Sequence, residues 1–416
     1  MPPNGNSYPA ASLSASPRRR LRLLILQSYT GVGGAETALL NLLDGLQEDT
    51  TWCEIVTLGH GNGALDEALH QHGHRLTPYP GARFRRLDQT LVAIRWLAEK
   101  ISRENFDVVL ANGGHPNLYA RPAALWARRP SVWWVHDHSF ADPLRSGPLG
   151  WLQGMVAADL LMANSSMTEQ KLRAYFPGTP VATVRPGVNE RKLLAALDRG
   201  GPLRASLGIP ESECIVGMAA RYQPGKGHLL FLEAAARMVH VGFPGRFWII
   251  AARLPWQDSG YAGHLRESTK RLGLQHRVTF LEDQPDAPAW LAACDIVVQP
   301  ALQPETLGLV AAEAMALGRP LVATAHGGAL EMVTHGQDGW LVPPNESTAI
   351  AEAVMHLWSD PALCRRLGEQ AARKAREQFS SRRTAEQFRA LLEPLAHSRS
   401  QLRQANNFVT VCRKEG

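Results

Sequence analysis

The sequence predicts an α/β protein built from two domains, each a parallel sheet wrapped on both faces by helices. Three observations predict it. Short apolar runs alternate with stretches of helical period, the alternation restarts once near residue 200, and the chain is long enough, at 416 residues, for two or three domains of ~150 residues. Hydrophobic residues make up 45% and charged residues 20% of the chain, a balance that can bury a core.

In the first half, Leu21–Leu26 reads as a buried strand, Ala35–Leu46 as an amphipathic helix and Glu54–Leu58 as a second strand. Leu87–Glu104 reads as a helix with Leu87, Leu91, Ile94 and Leu97 on one face, and Val108–Ala111, Val132–Val135, Leu160–Ala163 and Val181–Val184 as strands. Arg199-Gly200-Gly201-Pro202 has the composition of a linker. The rhythm then restarts with strand Ile215–Ala219, helix His228–Val239 and strands Phe247–Ala251, Val278–Leu281, Ile296–Val298 and Leu321–Ala323. A helix over Leu307–Leu317 lies between the last two strands. Ser347–Trp358, with Ser347 as N-cap, and Pro361–Phe379 read as C-terminal helices. The expected organisation is a polar leader over 1–20, a first domain over 21–200 and a second over 201–380. A helix over 381–396 packs back on the first domain, and a polar tail runs over 397–416.

Charge and cysteine usage exclude several classes. The net charge is +6, but it is split. Residues 1–205 carry 22 basic and 17 acidic side chains, residues 206–380 carry 15 and 18, and residues 381–416 carry 7 and 3. A nucleic-acid binder shows a concentrated basic stripe instead. The five cysteines lie far apart without a C-x-x-C pair, which fits thiols kept reduced in a cytosol rather than a disulfide scaffold or zinc ribbon. No stretch approaches the ~20 apolar residues of a spanning helix. The expected location is the cytoplasm, with the basic first half facing anionic lipid on the inner face of the plasma membrane. Arg83-Phe84-Arg85-Arg86 is the segment that would meet headgroups; a solvated loop is the plainer reading.

Two motifs carry chemistry. After the first strand, Gly33-Gly34-Ala35-Glu36 opens a helix, where backbone amides and the helix dipole favour an anion. It is neither the dinucleotide fingerprint Gly-x-Gly-x-x-Gly nor a P-loop, and a tight strand-to-helix turn explains it equally well. The second motif runs from Glu305 through Thr306, Leu307, Gly308 and Leu309 to Glu313. Glu305 precedes the helical run and Glu313 lies within it, among apolar neighbours where an unpaired carboxylate is costly. Two carboxylates along one helix edge suit hydrogen bonding to a polyol better than flanking a glycosidic bond. Upstream, Arg221 and Lys226 stand around a Pro-Gly turn and can converge on one anion, or simply sit at the surface.

Taken together the residues resemble the retaining glycosyltransferases of family 4, which have the GT-B fold: two Rossmann-like domains facing across a cleft, with C-terminal helices crossing back. The resemblance spans most of residues 21–380. It rests on Gly33-Gly34-Ala35-Glu36, His136-Asp137, Ala163-Asn164-Ser165-Ser166, Arg185-Pro186-Gly187-Val188-Asn189, the Arg221 to Lys226 spacing, Glu305-x7-Glu313, and Ala325-His326-Gly327-Gly328 followed by Glu331. It implies that Arg221 and Lys226 bind the donor diphosphate, that Glu313 accepts hydrogen bonds from the ribose, and that Glu305 holds hydroxyls of the transferred sugar. Backbone amides of Thr306 to Leu309 assist, Gly33 and Gly34 let the first-domain loop close over the diphosphate, and His136 lies near the donor sugar, with His138 able to exchange roles with it.

The resemblance further implies a hexosyltransferase that takes a UDP- or GDP-linked hexose to a hydroxyl of a glycan or lipid-linked acceptor, in cell-surface polysaccharide or glycolipid synthesis. Retention by front-face attack needs no carboxylate nucleophile. No Asp-x-Asp motif is present, so neither a metal nor a further cofactor is expected. Departures fall at Ala252–Trp256 and at Glu282, where the family often has glycines, and at Leu307-Gly308, where it usually has Phe-Gly. The first two border the expected base pocket, and base identity stays open. The alternatives are a Rossmann-type NAD-dependent oxidoreductase, which lacks its fingerprint here, a basic nucleic-acid binder, which the split charge disfavours, and an inactive transferase-shaped subunit, which would not need Arg221, Lys226, Glu305 and Glu313 together.

Overall fold

A computed structural model describes residues 20–28, 31–46, 50–59, 63–79, 86–137, 157–251, 259–284 and 286–412 of the chain. His138, the segment Arg83–Arg85 and the loop Ala252–Trp256 lie outside the described residues.

The first sheet is formed by β1 (Leu21–Gln27), β2 (Thr51–Thr57), β3 (Arg75–Pro78), β4 (Val108–Asn112), β5 (Ser131–Val135), β6 (Leu160–Ala163) and β7 (Val181–Thr183), in the order β3-β2-β1-β4-β5-β6-β7. Among the described residues the helices between them are α1 (Gly34–Gly45), α2 (Ala64–Gln71), α3 (Leu87–Arg103), α4 (Gly114–Trp126) and α5 (Ser166–Tyr175). The second sheet, β8 (Ile215–Ala219), β9 (Arg246–Ala251), β10 (Val278–Glu282), β11 (Ile296–Gln299), β12 (Leu321–Thr324) and β13 (Trp340–Val342), has the order β10-β9-β8-β11-β12-β13. Every pair in both sheets is parallel. Each order reverses once, between β1 and β4 and between β8 and β11, and the carboxyl ends of strands at such a reversal open a crevice for ligands. The glycine turn follows β1 and Arg221 follows β8, so the candidate residues stand at the two crevices.

The strands read correctly from sequence because a doubly covered parallel sheet needs near-continuous apolar runs; Leu23 to Leu26 are all fully buried. The edge strands β3 and β13 are four and three residues long and carry too little pattern to be seen. The expected apolar face of α3 is only half right. Ile94 and Leu97 are buried, with Ala93, Ala98 and Ile101, but Leu87 and Leu91 are 79% and 64% exposed. The buried stripe is rotated toward small residues because α3 packs closely on α4.

The expected linker at Arg199–Pro202 is part of a helix, α6 (Glu190–Ser206). Its glycine serves close packing, not flexibility: a Cβ on Gly200 would come within 3.0 Å of the backbone carbonyl carbon of Ala292, in α9 (Ala287–Ala292). Leu193 and Ala196 of α6 belong to the core of the second sheet. The chain therefore passes between domains before residue 190. It does so twice side by side, where Val188 bridges Ser380 and the Val188 amide donates to the Phe379 carbonyl at 2.7 Å.

The remaining second-domain helices are α7 (His228–His240), α8 (Ser259–Arg271), α10 (Leu309–Ala316), α11 (Ala329–Met332), α12 (Ser347–Ser359) and α13 (Pro361–Gln378). Ser347 is the first residue of α12 and not its N-cap, which is Glu346; the Ser347 hydroxyl instead accepts from Arg237 Nε at 3.2 Å. The last helix, α14 (Ser381–Cys412), runs past the expected end at 396. It returns to the first domain, where Phe388 is fully buried and meets Trp134 edge-on at 5.3 Å in a cluster with Leu21, Leu23 and Ile25 of β1. Cys53, Cys214, Cys294 and Cys364 are free thiols. Among the described residues no helix is long and apolar enough to cross a membrane.

Candidate active site

After β8 the chain reaches Arg221 and then a 3-10 turn over Pro224–Lys226 that ends at Gly227. Gly227 has φ +81°, and a Cβ there would fall 1.7 Å from the Pro300 carbonyl oxygen. Only glycine lets this turn seat against the segment after β11. That seating carries Lys226 to Glu305, with Nζ 2.8 Å from Oε1, and Glu305 Oε2 accepts from Gln299 Nε2 at 3.1 Å. Both oxygens of Glu305 are thus oriented, and the pair is about three-quarters shielded from solvent: the Lys226 and Glu305 side chains are 26% and 21% exposed.

Glu305 lies before α10 and Glu313 in its second turn. Gly308, at φ +89°, makes the N-cap, and the first amides of α10 have no partner within the helix. Leu307 is buried, while Leu309 reaches the core cluster of the first domain. The Glu313 carboxyl has no hydrogen bond or ion pair among the described residues; burial pushes it up to about 7, against a smaller opposing pull from Lys192.

The other wall comes from the first domain. Gly33 is the N-cap of α1, and its amide donates to Glu36 Oε2 at 3.0 Å. A Cβ on Gly33 would lie 3.8 Å from an Arg221 guanidinium nitrogen, whereas Gly34 faces open space. His136 follows β5, and burial lowers its imidazole to about 3, so the ring is neutral. Its carbonyl accepts from the Thr306 hydroxyl and from Asn164 Nδ2, each at 3.0 Å, and Asn164 Nδ2 also donates to Thr306 Oγ1 at 2.9 Å. Lys226, Glu305, Thr306 and His136 are therefore brought together, and Gly33 faces Arg221.

Further participants carry no functional motif of their own, though Asn164, Ser166, Arg185 and Glu331 lie within the motifs that bear the family likeness. Asn164 bridges the domains at Thr306. Glu331 accepts from the Ser166 and Met167 amides at 3.0 and 3.2 Å and pairs with Arg185 at 2.9 Å. Desolvation would raise the Glu331 carboxyl, but these donors hold it below the usual carboxylate range. The second domain thus grips the N-terminus of α5, where an anion is favoured. Gln27 and Asn112, polar residues ending buried strands, form a hydrogen-bonded path to His136. Their signal was an amide at the carboxyl end of an apolar run. A separate group with metal-ligating atoms, Asp44, His72 and His74, holds those atoms within 4.8 Å of one another. It stands at the far end of α1, ~15 Å along the helix from Gly34.

Family models match both halves of the chain: Glycosyltransferase Family 4 over residues 32–192 and Glycosyl transferases group 1 over residues 202–374. A D-inositol 3-phosphate glycosyltransferase of Kribbella flavida is 30% identical over 314 residues, covering 72% of this chain and 71% of that protein. The corresponding protein of Streptomyces avermitilis is 33% identical over 234 residues, 55% of this chain and 50% of that protein. For several such relatives the match spans about half of their length. Among solved structures, Anabaena HepE in complex with UDP-glucose superposes with a TM-score of 0.78 at 24% identity, covering 90% of this chain and all of that one. Sucrose-phosphate synthase of Thermosynechococcus elongatus gives 0.72 at 19% identity, covering 91% of this chain and all of that one. With two parallel sheets, a returning C-terminal helix and these matches, the chain belongs to the family 4, group 1 glycosyltransferases and has the GT-B fold.

Proposed function

We propose that this glycosyltransferase moves a hexose from a UDP- or GDP-linked donor, with retention and without a metal, to a hydroxyl of a glycan or lipid-linked acceptor. The observation that carries the reading is the Lys226–Glu305 pair standing beside Thr306, whose hydroxyl is tied to His136 across the cleft. Lys226 and Arg221 supply fixed positive charge where a diphosphate leaves, and charge aimed at a developing anion lowers the barrier more than binding alone. Glu305, oriented by Lys226 and Gln299, accepts from sugar hydroxyls. Those two donors on its oxygens favour that role over attack on the anomeric carbon. Glu313 takes the ribose, and the amides from Thr306 to Leu309, with the open space over Gly34, take sugar and diphosphate oxygens. The acceptor hydroxyl attacks from the face the diphosphate leaves, passing its proton to the departing phosphate, so the protein contributes position and electrostatics.

Thermal-shift titration with UDP, GDP, ADP and NAD tests the donor class. Stabilisation by a nucleoside diphosphate and not by NAD is the expected result; the reverse pattern would return the chain to the oxidoreductase reading. A donor screen with product analysis by mass spectrometry and NMR then reads sugar, base and anomeric outcome, and an inverted product would exclude retention.

The acceptor face is proposed to meet an anionic membrane. Exposed Leu87, Leu91 and Val92 on α3, at 79%, 64% and 62%, stand next to Arg86 and support that contact, since apolar and basic groups together favour an interface. Co-sedimentation with phosphatidylserine-containing vesicles should exceed that with neutral vesicles and fall as salt rises; equal recovery with both would remove the membrane from the proposal.

A further inference from the structure

Behind His136 lies a continuous row of hydrogen bonds. His136 Nε2 is 2.7 Å from Asn112 Oδ1, Asn112 Nδ2 donates to Gln27 Oε1 at 2.7 Å, and Gln27 Nε2 donates to Glu36 Oε1 at 2.8 Å. Gln27, Glu36 and Asn112 are 2%, 6% and 2% exposed. Each link has a direction that can be worked out. The Gly33 amide can only donate, so Glu36 accepts at Oε2. Asn112 Nδ2 also lies 3.3 Å from the Ala35 carbonyl, which can only accept. The amide nitrogen of Asn112 therefore faces Gln27 and Ala35, and its oxygen faces the imidazole. An oxygen acceptor at 2.7 Å requires a proton on Nε2. Because the ring is neutral, Nδ1 is left as its single acceptor.

We propose that Asn112 is a positioning residue that fixes His136 as the Nε2–H tautomer, so that Nδ1 accepts a hydrogen bond from a substrate hydroxyl. Gln27 and Glu36 set the direction of the row from the glycine turn. The inference rests on the reading that His136 lines the donor-sugar pocket. A hydroxyl donor suits the site; a carbonyl or phosphate oxygen at Nδ1 would face a lone pair. The row also ties the ring to Glu36, whose Oε2 accepts from the Gly33 amide, so the imidazole and the glycine turn are held in one frame.

Nitrogen-15 NMR of histidine-labelled, full-length protein reads the tautomer without reference to activity, the His136 signals being assigned with His136→Gln. The wild-type ring should show a pyridine-type Nδ1 and a pyrrole-type Nε2. Asn112→Leu should mix the two tautomers and lower kcat about tenfold or more, with the donor KM changed less than ~threefold. A wild-type ring protonated at Nδ1 overturns the proposal whether or not the variant folds. Mixed tautomers with unchanged kcat overturn the use of His136 at the sugar, and retained stabilisation by nucleoside diphosphate in that variant separates this result from failure of the donor reading.

Discussion

Glu305→Gln is expected to lower kcat by roughly 10²–10³-fold. In the wild type one carboxylate oxygen holds Lys226 at 2.8 Å and the other holds Gln299 at 3.1 Å. An amide has a single oxygen, so one of these donors would face an NH2 group, and the side chain would lose both its charge and its fixed orientation. Nucleoside diphosphate binding should change less than ~threefold, because the proposed diphosphate contacts are the cations Lys226 and Arg221. Lys226→Ala acts on the other half of the pair. Losing one charge-assisted hydrogen bond should weaken nucleoside diphosphate binding about 10–100-fold, on the scale of ~1.5–3 kcal/mol for such bonds. It also leaves Glu305 without its counterion. Steady-state kinetics and calorimetric titration of the two variants separate turnover from binding. Wild-type behaviour in both would remove the assignment of this pair to the site.

The second large effect is a pH dependence of nucleotide affinity that originates at Glu313. Burial raises its carboxyl to about 7, and the ionised form is the one able to accept from both ribose hydroxyls. On the proposed ribose contact the nucleotide should therefore bind the deprotonated protein preferentially. Its affinity should rise up to about tenfold per pH unit below pH ~7 and level off above. The diphosphate's own last proton, with a pKa of ~6 typical of a phosphate monoester, adds a slope that wild type and Glu313→Gln share. The difference between their profiles isolates Glu313, and identical profiles would show that it does not contact the ribose. The sign for stability is opposite. A carboxyl raised in the folded state contributes stability that is complete below its unfolded value near 4.5 and is lost as the pH rises through about 7. The nucleotide-free protein should therefore lose melting temperature over that window, and the loss should shrink in Glu313→Gln.

How much of the site was legible depended on how each residue is held. Glu305, Glu313, Arg221 and Lys226 sit in one domain, in short motifs local to the chain, and the sequence alone marks them as candidates. His136 is a candidate from sequence too, but the hydrogen bonds behind its ring are not legible, because Asn112 and Gln27 come from neighbouring strands. Asn164 and Glu331 stood in motifs quoted for their family likeness, yet their work is to bind the other domain, which no local pattern records. The linker reading failed for a similar reason. Gly200 looks like a flexible joint in one dimension and is a close helix contact in three.

By itself, the sequence determined that the chain folds as two parallel α/β domains and that its second half carries a cation and carboxylate set at the start of a helix. Periodicity and glycine placement are local properties, and the α/β alternation needs nothing else. The tertiary structure alone decided that the domains join at Val188 and Ser380, that the returning α14 sets Phe388 against Trp134 in the cluster of β1, and that Thr306 is tied to the His136 carbonyl. These contacts join residues 170 or more apart, and only the folded domains, set side by side, bring such partners within reach.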